Sequence, residues 1–272
     1  MQLKEIYEGA SSLFKLLDLV SKFKGSEHSK RLNKVLNESV FSIPQIAEYL
    51  QFSSCKEFEK LIKAESDITF DFINFFSEKF GVNKNWFLDG RDTPYKSYLL
   101  GSLFASDMLD LILEYSPKEI LFVRDDSINH RGMILFKFSD FKTIYIDQYW
   151  HISSQVGDTG MKQLRSLYIL YRILEKTSIQ LSEYKINQLT FDQIYTGEIN
   201  SSNVEFGPYS FWLQDLCFLE KSLMNYSKVH DEELFWARNY LKNYYSGNIL
   251  SYKNDDLYSQ DIAEKFIHQF SK

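Results

Sequence analysis

Several features are scarce in this chain of 272 residues, and each scarcity narrows the class of protein. The two cysteines, Cys55 and Cys217, lie far apart and fit neither a disulfide framework nor a zinc cluster. Four prolines and 11 glycines indicate helices that are joined by brief loops. No apolar run approaches the roughly 20 residues of a membrane-spanning helix, and acids at Glu5 and Glu8 argue against a signal peptide. These absences predict a soluble, cytoplasmic protein that has no membrane partner.

An excess of positive charge is also absent, because 31 Lys and Arg residues stand against 37 Asp and Glu, a net charge of −6. Residues 22–96 contain 12 basic and 11 acidic residues, a net charge of +1, whereas residues 97–272 contain 17 and 23, a net charge of −6. The acidity therefore belongs to the C-terminal part of the chain. A near-neutral N-terminal part permits DNA binding without favouring it.

Apolar and aromatic residues, in contrast, are abundant. The apolar fraction of 44% and the charged fraction of 25% are typical of globular proteins, and 23 Phe with 18 Tyr argue against disorder. The length allows one large domain or two ordinary ones. Apolar residues at helical spacing predict a helix within residues 1–25, which either packs on its own chain or serves as a dimerisation arm.

Residues 26–96 have the apolar pattern of a small all-helical domain. The predicted helices cover residues 29–37, 43–50, 54–63 and 68–76, followed by an apolar end at residues 80–88. Pro44 stands at an early helical position, where its missing N–H costs nothing. Gly81 and Gly90 are natural stops, because helices commonly end in a left-handed residue.

The most informative motif of the chain is FSEKFGVNKNWFLDGRDTPY, residues 76–95. In this motif an apolar helix is followed by a Gly-Val-Asn turn and by an apolar Trp-Phe-Leu run. Together with the helices before it, the motif resembles the DNA-binding domain of the lambda-repressor/Cro (Xre-type) family, over residues 27–95. The resemblance implies a helix-turn-helix fold in which residues 54–63 form the recognition helix and residues 43–50 the helix before it.

The same resemblance implies which residues contact double-stranded DNA. Ser53, Ser54 and Lys56 open the recognition helix, whose N-terminal residues reach base edges in the major groove. Lys60 and Lys63 would lie near phosphates, and Gln45 matches a position that often contacts phosphate. A protein of this type is expected to act as a dimer that binds two half-sites about one helical turn apart.

Several residues depart from the family pattern. Gln51 and Ala64 occupy positions at which glycine is frequent. Acids stand within the recognition helix at Glu57 and Glu59, and no arginine between residues 31 and 91 is present to contact guanine. The alternative interpretation is therefore a helix-turn-helix that holds another protein, as in a phage-defence or toxin–antitoxin system.

Residues 97–272 match no family pattern and predict an α+β domain for sensing or oligomerisation. Turn-rich segments separate three strands of a small antiparallel sheet, predicted at residues 119–124, 132–138 and 143–147, with a further strand considered at 178–183. Helices are predicted at residues 96–115, 161–176, 191–195, 210–226, 231–245 and 261–270. The predicted fold is mainly α with a small antiparallel sheet.

A glycine-rich loop before one of these helices is a candidate anion site, because helix N-termini present backbone N–H groups. The residues concerned are Gly157, Thr159, Gly160, Lys162 and Arg165. No Gly-Lys-Ser/Thr follows the glycines, so the loop is not of the Walker type. The simpler interpretation takes Thr159 as the N-cap of the helix.

Other polar clusters carry weaker signals for chemistry. The segment from Arg124 to Arg131 combines acids, bases and a histidine, but a solvated turn is the favoured interpretation. The five histidines show no metal spacing, and Cys217 lies in an apolar helix as a core residue. No cofactor motif or catalytic motif is found, so no cofactor is expected, and an enzyme with its site in residues 97–272 stays a secondary alternative.

The residues together predict a cytoplasmic, repressor-type transcriptional regulator in two domains. The first would bind double-stranded DNA, and the second would hold a homodimer together or sense a small-molecule or protein effector.

Overall fold

The computed structural model of the chain describes residues 27–127, 131–207, 210–219, 232–245 and 251–271. The chain divides into two compact units, Met1–Tyr95 and Lys96–Lys272. The helix predicted within residues 1–25 lies outside the described residues, and so does His130, the histidine of the segment from Arg124 to Arg131.

The described part of the N-terminal unit consists of helices joined by turns, with one isolated bridge between Val82 and Tyr95. Its helices are α1 (residues 27–38), α2 (Ile43–Tyr49), α3 (Cys55–Ile62), α4 (Phe70–Phe80) and α5 (Lys84–Asp89). Short polar side chains start three of them: Ser54, Thr69 and Asn83 accept hydrogen bonds from backbone N–H groups in the first turns of α3, α4 and α5. These local signals explain why the predicted helices lie close to the observed ones.

Left-handed residues end four of these helices. Gly81 and Gly90, with φ of 66° and 79°, follow α4 and α5 as the sequence predicts. Gln51 and Ala64 also have positive φ, 62° and 57°, although they are not glycines. After α2, the N–H of Phe52 donates to the carbonyl of Ala47 at 3.0 Å, which is the long hydrogen bond of a Schellman turn.

The core of the N-terminal unit is built from the apolar faces of its helices. Ile46 and Ala47 of α2 are buried, as are Phe58 and Leu61 of α3. Aromatic rings fill the centre, where the ring centroids of Phe76 and Phe80 lie 4.5 Å apart. Because Ala47 carries only a methyl group, α2 and α3 can approach each other closely at this point.

The C-terminal unit combines helices with one five-stranded sheet. Its strands are β1 (Ser97–Tyr98), β2 (Glu119–Asp125), β3 (Arg131–Lys137), β4 (Thr143–His151) and β5 (Gln180–Ile186). Its helices are α6 (Ala105–Tyr115), α7 (Asp158–Leu174), α8 (Gln188–Tyr195), α9 (Trp212–Cys217), α10 (Glu232–Tyr244) and α11 (Gln260–Gln269). Short 3-10 turns cover Ser201–Asn203 and Ser251–Asn254.

The sheet has the strand order β1-β4-β3-β2-β5, and it is mixed rather than purely antiparallel. The predicted meander of β2, β3 and β4 is present, but β5 pairs with β2 in parallel and β1 pairs with β4 in parallel. The prediction of a small antiparallel sheet was therefore wrong at both edges. The crossover from β4 through α7 returns the chain to the far side of β2, and such a crossover places strands in parallel.

Two of the predicted helices differ from those observed. Residues 96–115 were expected to be one helix, yet β1 and a loop precede α6, because the N–H of Leu100 donates to Asp147 at 2.8 Å and holds this segment against β4. Residues 210–226 were expected to be one helix, yet α9 ends at Cys217 and residues 218–219 are not helical.

Both faces of the sheet are covered. One face packs against α6, α7, α9, α10 and α11 through a large core that includes Phe122, Phe136 and Trp150. The other face packs against α8 and the segment that follows it through a smaller core around Val123, Leu135 and Phe191. Within the described ranges no helix is both long enough and apolar enough to cross a lipid bilayer.

Candidate nucleic-acid interface

All six residues predicted to contact DNA lie on the solvent-exposed surface of α2, of α3 and of the turn between them. They are Gln45, Ser53, Ser54, Lys56, Lys60 and Lys63. The buried residues of α3, Phe58 and Leu61, face the opposite side of the helix. Thus α3 is amphipathic and presents a polar face that is free of core contacts.

Acidic neighbours engage two of these residues. The Ser53 hydroxyl donates to Glu57 at 2.7 Å, and the Lys63 ammonium contacts Glu59 at 3.1 Å. The hydrogen bond to Glu59 and its charge raise the pKa of Lys63. Lys56 and Lys60 lie on the same helix and are exposed to solvent. The cationic part of the candidate interface therefore centres on Lys56 and Lys60.

Gln45 has a structural role as well as an exposed position. Its Oε1 accepts hydrogen bonds from the backbone N–H of Ser42 at 2.9 Å and from the Ser42 hydroxyl at 2.8 Å. These contacts fix the first turn of α2, in the manner of a capping box. Phosphate oxygens accept hydrogen bonds, so only the amide NH2 group of Gln45 could donate to one.

The C-terminal end of α3 is held by side chains of α1. The Ser29 hydroxyl donates to the carbonyl of Leu61 at 3.0 Å, and Asn33 Nδ2 donates to the carbonyl of Ile62 at 2.9 Å. Ser29 is buried. The last carbonyls of a helix lack partners within the helix, so these two side chains supply what α3 itself cannot.

Helix α1 also holds the C-terminal end of α5. Arg31 Nη1 donates to the carbonyl of Phe87 at 3.0 Å, and the ring of His28 bonds the carbonyl of Leu88 at 2.8 Å. A cation at a helix C-terminus is favourable, because this end of the helix carries partial negative charge. Polar residues of α1 therefore bind the ends of two helices that lie about 30 and 60 residues away in the sequence.

The candidate anion site at α7 is not assembled as predicted. Gly157, not Thr159, is the N-cap residue, and no side chain caps this end of the helix. Arg165 lies about two turns into α7 but is buried, and its Nη1 contacts Asp255 at 2.9 Å and Asp256 at 3.1 Å. Since Arg165 already binds carboxylates of its own chain, only Gly157, Thr159, Gly160 and the exposed Lys162 remain at the loop.

A buried acid that the sequence did not predict lies on β5. Glu183 accepts backbone hydrogen bonds from Leu213 at 2.7 Å and from Gln214 at 3.1 Å, at the start of α9. Burial raises the pKa of Glu183 to about 7, against the lowering effect of these two hydrogen bonds and of Arg124; the nearby Asp215 raises it further. Arg124 itself stacks on Trp212, with its guanidinium carbon 4.9 Å from the ring centroid.

The segment from Arg124 to Arg131, interpreted from the sequence as a solvated turn, includes an ion pair between the ends of β2 and β3, whereas Asp126 is exposed and residues 128–130 lie outside the described ranges. Asp125 has no exposed surface, and it accepts a hydrogen bond from Arg131 Nε at 2.7 Å. Arg131 also reaches Asp192 of α8 at 2.7 Å. Burial acts against the charge of Arg131, but Asp192 and Asp125 outweigh it and raise its pKa. This cluster links the hairpin to α8 and thus has a structural role.

A cleft of about 430 Å³ opens where β5 ends and α8 begins. Its polar lining includes Lys185, Asn187, Thr190 and Glu205. In α/β sheets, ligands commonly bind at the carboxyl ends of parallel strands, and this cleft has that position relative to β2 and β5. It is thus a better candidate effector site than the loop before α7.

The cysteines and histidines are the remaining residues with a possible chemical role. Cys217 is buried, which raises its pKa, and Cys55 is exposed on α3. His151 is exposed at the end of β4. No group of three or more His, Cys, Asp or Glu residues that could hold a metal ion occurs in the described ranges.

Sequence reasoning missed the side chains that act over long distances in the chain. Ser29 and Asn33 lie inside a helix in which their pattern is unremarkable, and Glu183 lies in a strand with no adjacent base. Asp255 pairs with Arg165 across a separation of 90 residues. No local spacing rule connects such residues, so only the tertiary structure identifies them.

No family model, no curated protein and no solved structure matches this chain.

Proposed function

We propose that the N-terminal unit is a helix-turn-helix domain that binds double-stranded DNA, and that the chain is a repressor-type transcriptional regulator. The observation that carries this proposal is the exposed polar face of α3, which projects Lys56 and Lys60 and begins at the Ser54 N-cap. A helix presented in this way can enter the major groove, where its N-terminal residues read base edges.

The turn before α3 supports the same proposal. Gln51 adopts the left-handed conformation that a tight connection between α2 and α3 requires. The small Ala47 lies buried in α2, and the apolar side of α3 packs into the core. The helix is therefore rigidly mounted, and rigid mounting suits a surface that must match the fixed geometry of a DNA groove.

The C-terminal unit would supply dimerisation and effector sensing. In this proposal two copies of the chain bind half-sites about 34–36 Å apart, one turn of B-DNA. A small-molecule effector would occupy the cleft between β5 and α8. Its binding would alter DNA affinity only to the extent that it binds the two conformations of the protein unequally.

Selection of bound sequences from a random duplex pool tests the proposal. The wild-type chain is expected to enrich an inverted repeat with half-sites about 10 base pairs apart, centre to centre. A variant with Lys56→Glu and Lys60→Glu is expected to lose this enrichment. On any duplex that still binds, its slope of log affinity against log salt would decrease by about 2, one phosphate contact per lysine.

The matched control changes two exposed lysines of the C-terminal unit, Lys118→Glu and Lys253→Glu, so that the net charge changes equally. This control is expected to bind like the wild type. If the wild-type chain enriches no motif and shifts no duplex at low salt, the DNA-binding proposal is wrong.

A second candidate function is protein docking through the same helix. The acids on α3 favour it, because Glu59 pairs with Lys63 and the carboxylate of Glu57 adds negative charge to the same surface, which makes it less attractive to phosphate. In a phage-defence or toxin–antitoxin system, the partner would be a protein with a basic surface that binds the exposed face of α3. The Lys56→Glu and Lys60→Glu variant would then bind its partner more tightly, whereas a DNA-binding domain would bind DNA more weakly.

A further inference from the structure

We propose that Ser29 and Asn33 are positioning residues that hold α3 at the angle its partner requires. This inference rests on the proposed function, because the partner of α3 is taken to be DNA. The observation is the pair of hydrogen bonds from α1 to the carbonyls of Leu61 and Ile62, at 3.0 Å and 2.9 Å.

The end of α3 needs support from outside the helix. Its last residues are followed by Ala64, which adopts a φ of 57° that L side chains rarely take. Within the turn, the N–H of Glu65 donates to the carbonyl of Lys60 at 2.8 Å, and the N–H of Ala64 to that of Leu61 at 3.2 Å. The carbonyl of Ile62 is left to Asn33. Asn33 therefore completes the hydrogen bonding of this end.

The two contacts also restrict how α3 can move relative to α1. Asn33 Nδ2 binds two carbonyls, those of Ser29 and Ile62, both at 2.9 Å, so its amide is fixed to α1 while it holds α3. Ser29 is 4% exposed and lies one turn before Asn33. Two hydrogen bonds from successive turns of one helix resist both sliding and rotation of α3, in a way that apolar packing alone does not.

The position of these contacts matters for Lys60 and Lys63. Lys60 lies in the last turn of α3 and Lys63 is its C-cap residue, so both are next to the carbonyls that α1 holds. A change in the angle of α3 would displace these lysines more than the Ser54 end. The proposal therefore assigns Ser29 and Asn33 an effect on phosphate contacts, although neither needs to touch DNA.

The test uses the full chain with Ser29→Ala and Asn33→Ala, singly and together. Amide exchange at Lys63, Ala64 and Glu65 is expected to accelerate by about 5- to 30-fold in the double variant, since each lost hydrogen bond contributes about 1 kcal/mol. Exchange in α4 is expected to stay unchanged. The conservative Ser29→Thr, which keeps the hydroxyl, restores slow exchange, and Asn37→Ala on the exposed side of α1 is the matched control.

The DNA measurement separates positioning from simple loss of stability. On a duplex that the wild type binds, the double variant is expected to lower the slope of log affinity against log salt by about 1, because a phosphate contact is lost. Loss of folded protein alone would reduce the active fraction without changing this slope.

The outcomes are distinguishable. Unchanged amide exchange overturns the positioning role, whatever the DNA result. Faster exchange with an unchanged salt slope also overturns it. If the wild-type chain binds no duplex, the proposed function fails, and accelerated exchange then supports only the hold of α1 on α3.

Discussion

The two units of this protein use charged and polar side chains in opposite ways. In the N-terminal unit, most of the charged side chains of α2 and α3 are exposed, and the polar side chains of α1 bind backbone carbonyls at helix ends. In the C-terminal unit, the buried Arg165 pairs with Asp255, and the largely buried Arg131 pairs with Asp125. Exposed charges remain available to a partner, whereas a buried charge is bound to its internal counter-ion.

This difference indicates where a binding surface can lie. The exposed lysines of α3 can bind a phosphate without breaking any core contact. Arg165 can do so only by abandoning Asp255, whose carboxylate would then be buried without a counter-charge. A basic residue next to a glycine-rich loop is therefore weak support for an anion site until its burial is known.

Among the tests of this difference between the two units, the largest effect on stability is expected at Arg165. Replacing Arg165 with alanine leaves Asp255, whose side chain is fully buried, without its cation. Removing one partner of a buried ion pair typically costs about 3–5 kcal/mol of unfolding free energy. Urea denaturation followed by near-UV circular dichroism measures this loss. Lys162→Ala, an exposed change on the same helix, is the control, and a loss below about 1 kcal/mol for Arg165→Ala would contradict the internal role.

A smaller effect is expected at Glu183, and it depends on pH. The folded-state pKa of about 7 lies above the ordinary glutamate value, so the folded state prefers the protonated acid. The stability contributed by this group is therefore full below pH of about 4.5 and is lost as the pH rises through about 7, with a total change of roughly 3 kcal/mol.

Comparison of Glu183→Gln with the wild type isolates this contribution, because glutamine does not ionise. The difference in unfolding free energy between pH 5 and pH 8 is expected to be smaller in the variant by about 2–3 kcal/mol. Glu198→Gln, at an exposed position, controls for the loss of one acid. Parallel pH profiles for Glu183→Gln and the wild type would show that Glu183 stays ionised in the folded protein.

The smallest effect is expected at the left-handed residues of the N-terminal unit. Glycine in place of Gln51 or Ala64 removes the clash of Cβ in this conformation, worth about 1–2 kcal/mol, but adds chain entropy in the unfolded state, which costs about 0.5–1 kcal/mol. Each substitution is thus expected to stabilise the unit by about 0.5–1 kcal/mol, as a rise in the thermal midpoint. Glu48→Gly within α2 is expected to have the opposite sign.

Local features of the sequence predicted the N-terminal unit well. The helix predicted at residues 43–50 is observed as Ile43–Tyr49, and the one predicted at 54–63 as Cys55–Ile62, because Ser54 and the apolar spacing act within a few residues. The stops at Gly81 and Gly90 are confirmed for the same reason. The DNA-binding role of the exposed residues stays a prediction.

Prediction was weaker in the C-terminal unit, where the decisive contacts are distant in the sequence. The pairing of β5 with β2 joins strands about 60 residues apart, and a two-residue strand such as β1 has too little pattern to be recognised. The helix predicted at residues 96–115 failed because its first residues form hydrogen bonds with β4 instead of with one another. Propensity is a weak guide where tertiary partners compete for the backbone.

The sequence by itself determined the helical N-terminal unit, most of its helix boundaries and the strands β2 to β4, since apolar period and capping residues act over one or two turns. Only the tertiary structure decided the parallel edges of the sheet, the burial of Arg165 and Glu183, and the hold of α1 on α3. Those features depend on which groups meet after the chain has folded. Burial then decides whether a charged side chain meets solvent or a counter-ion of its own chain.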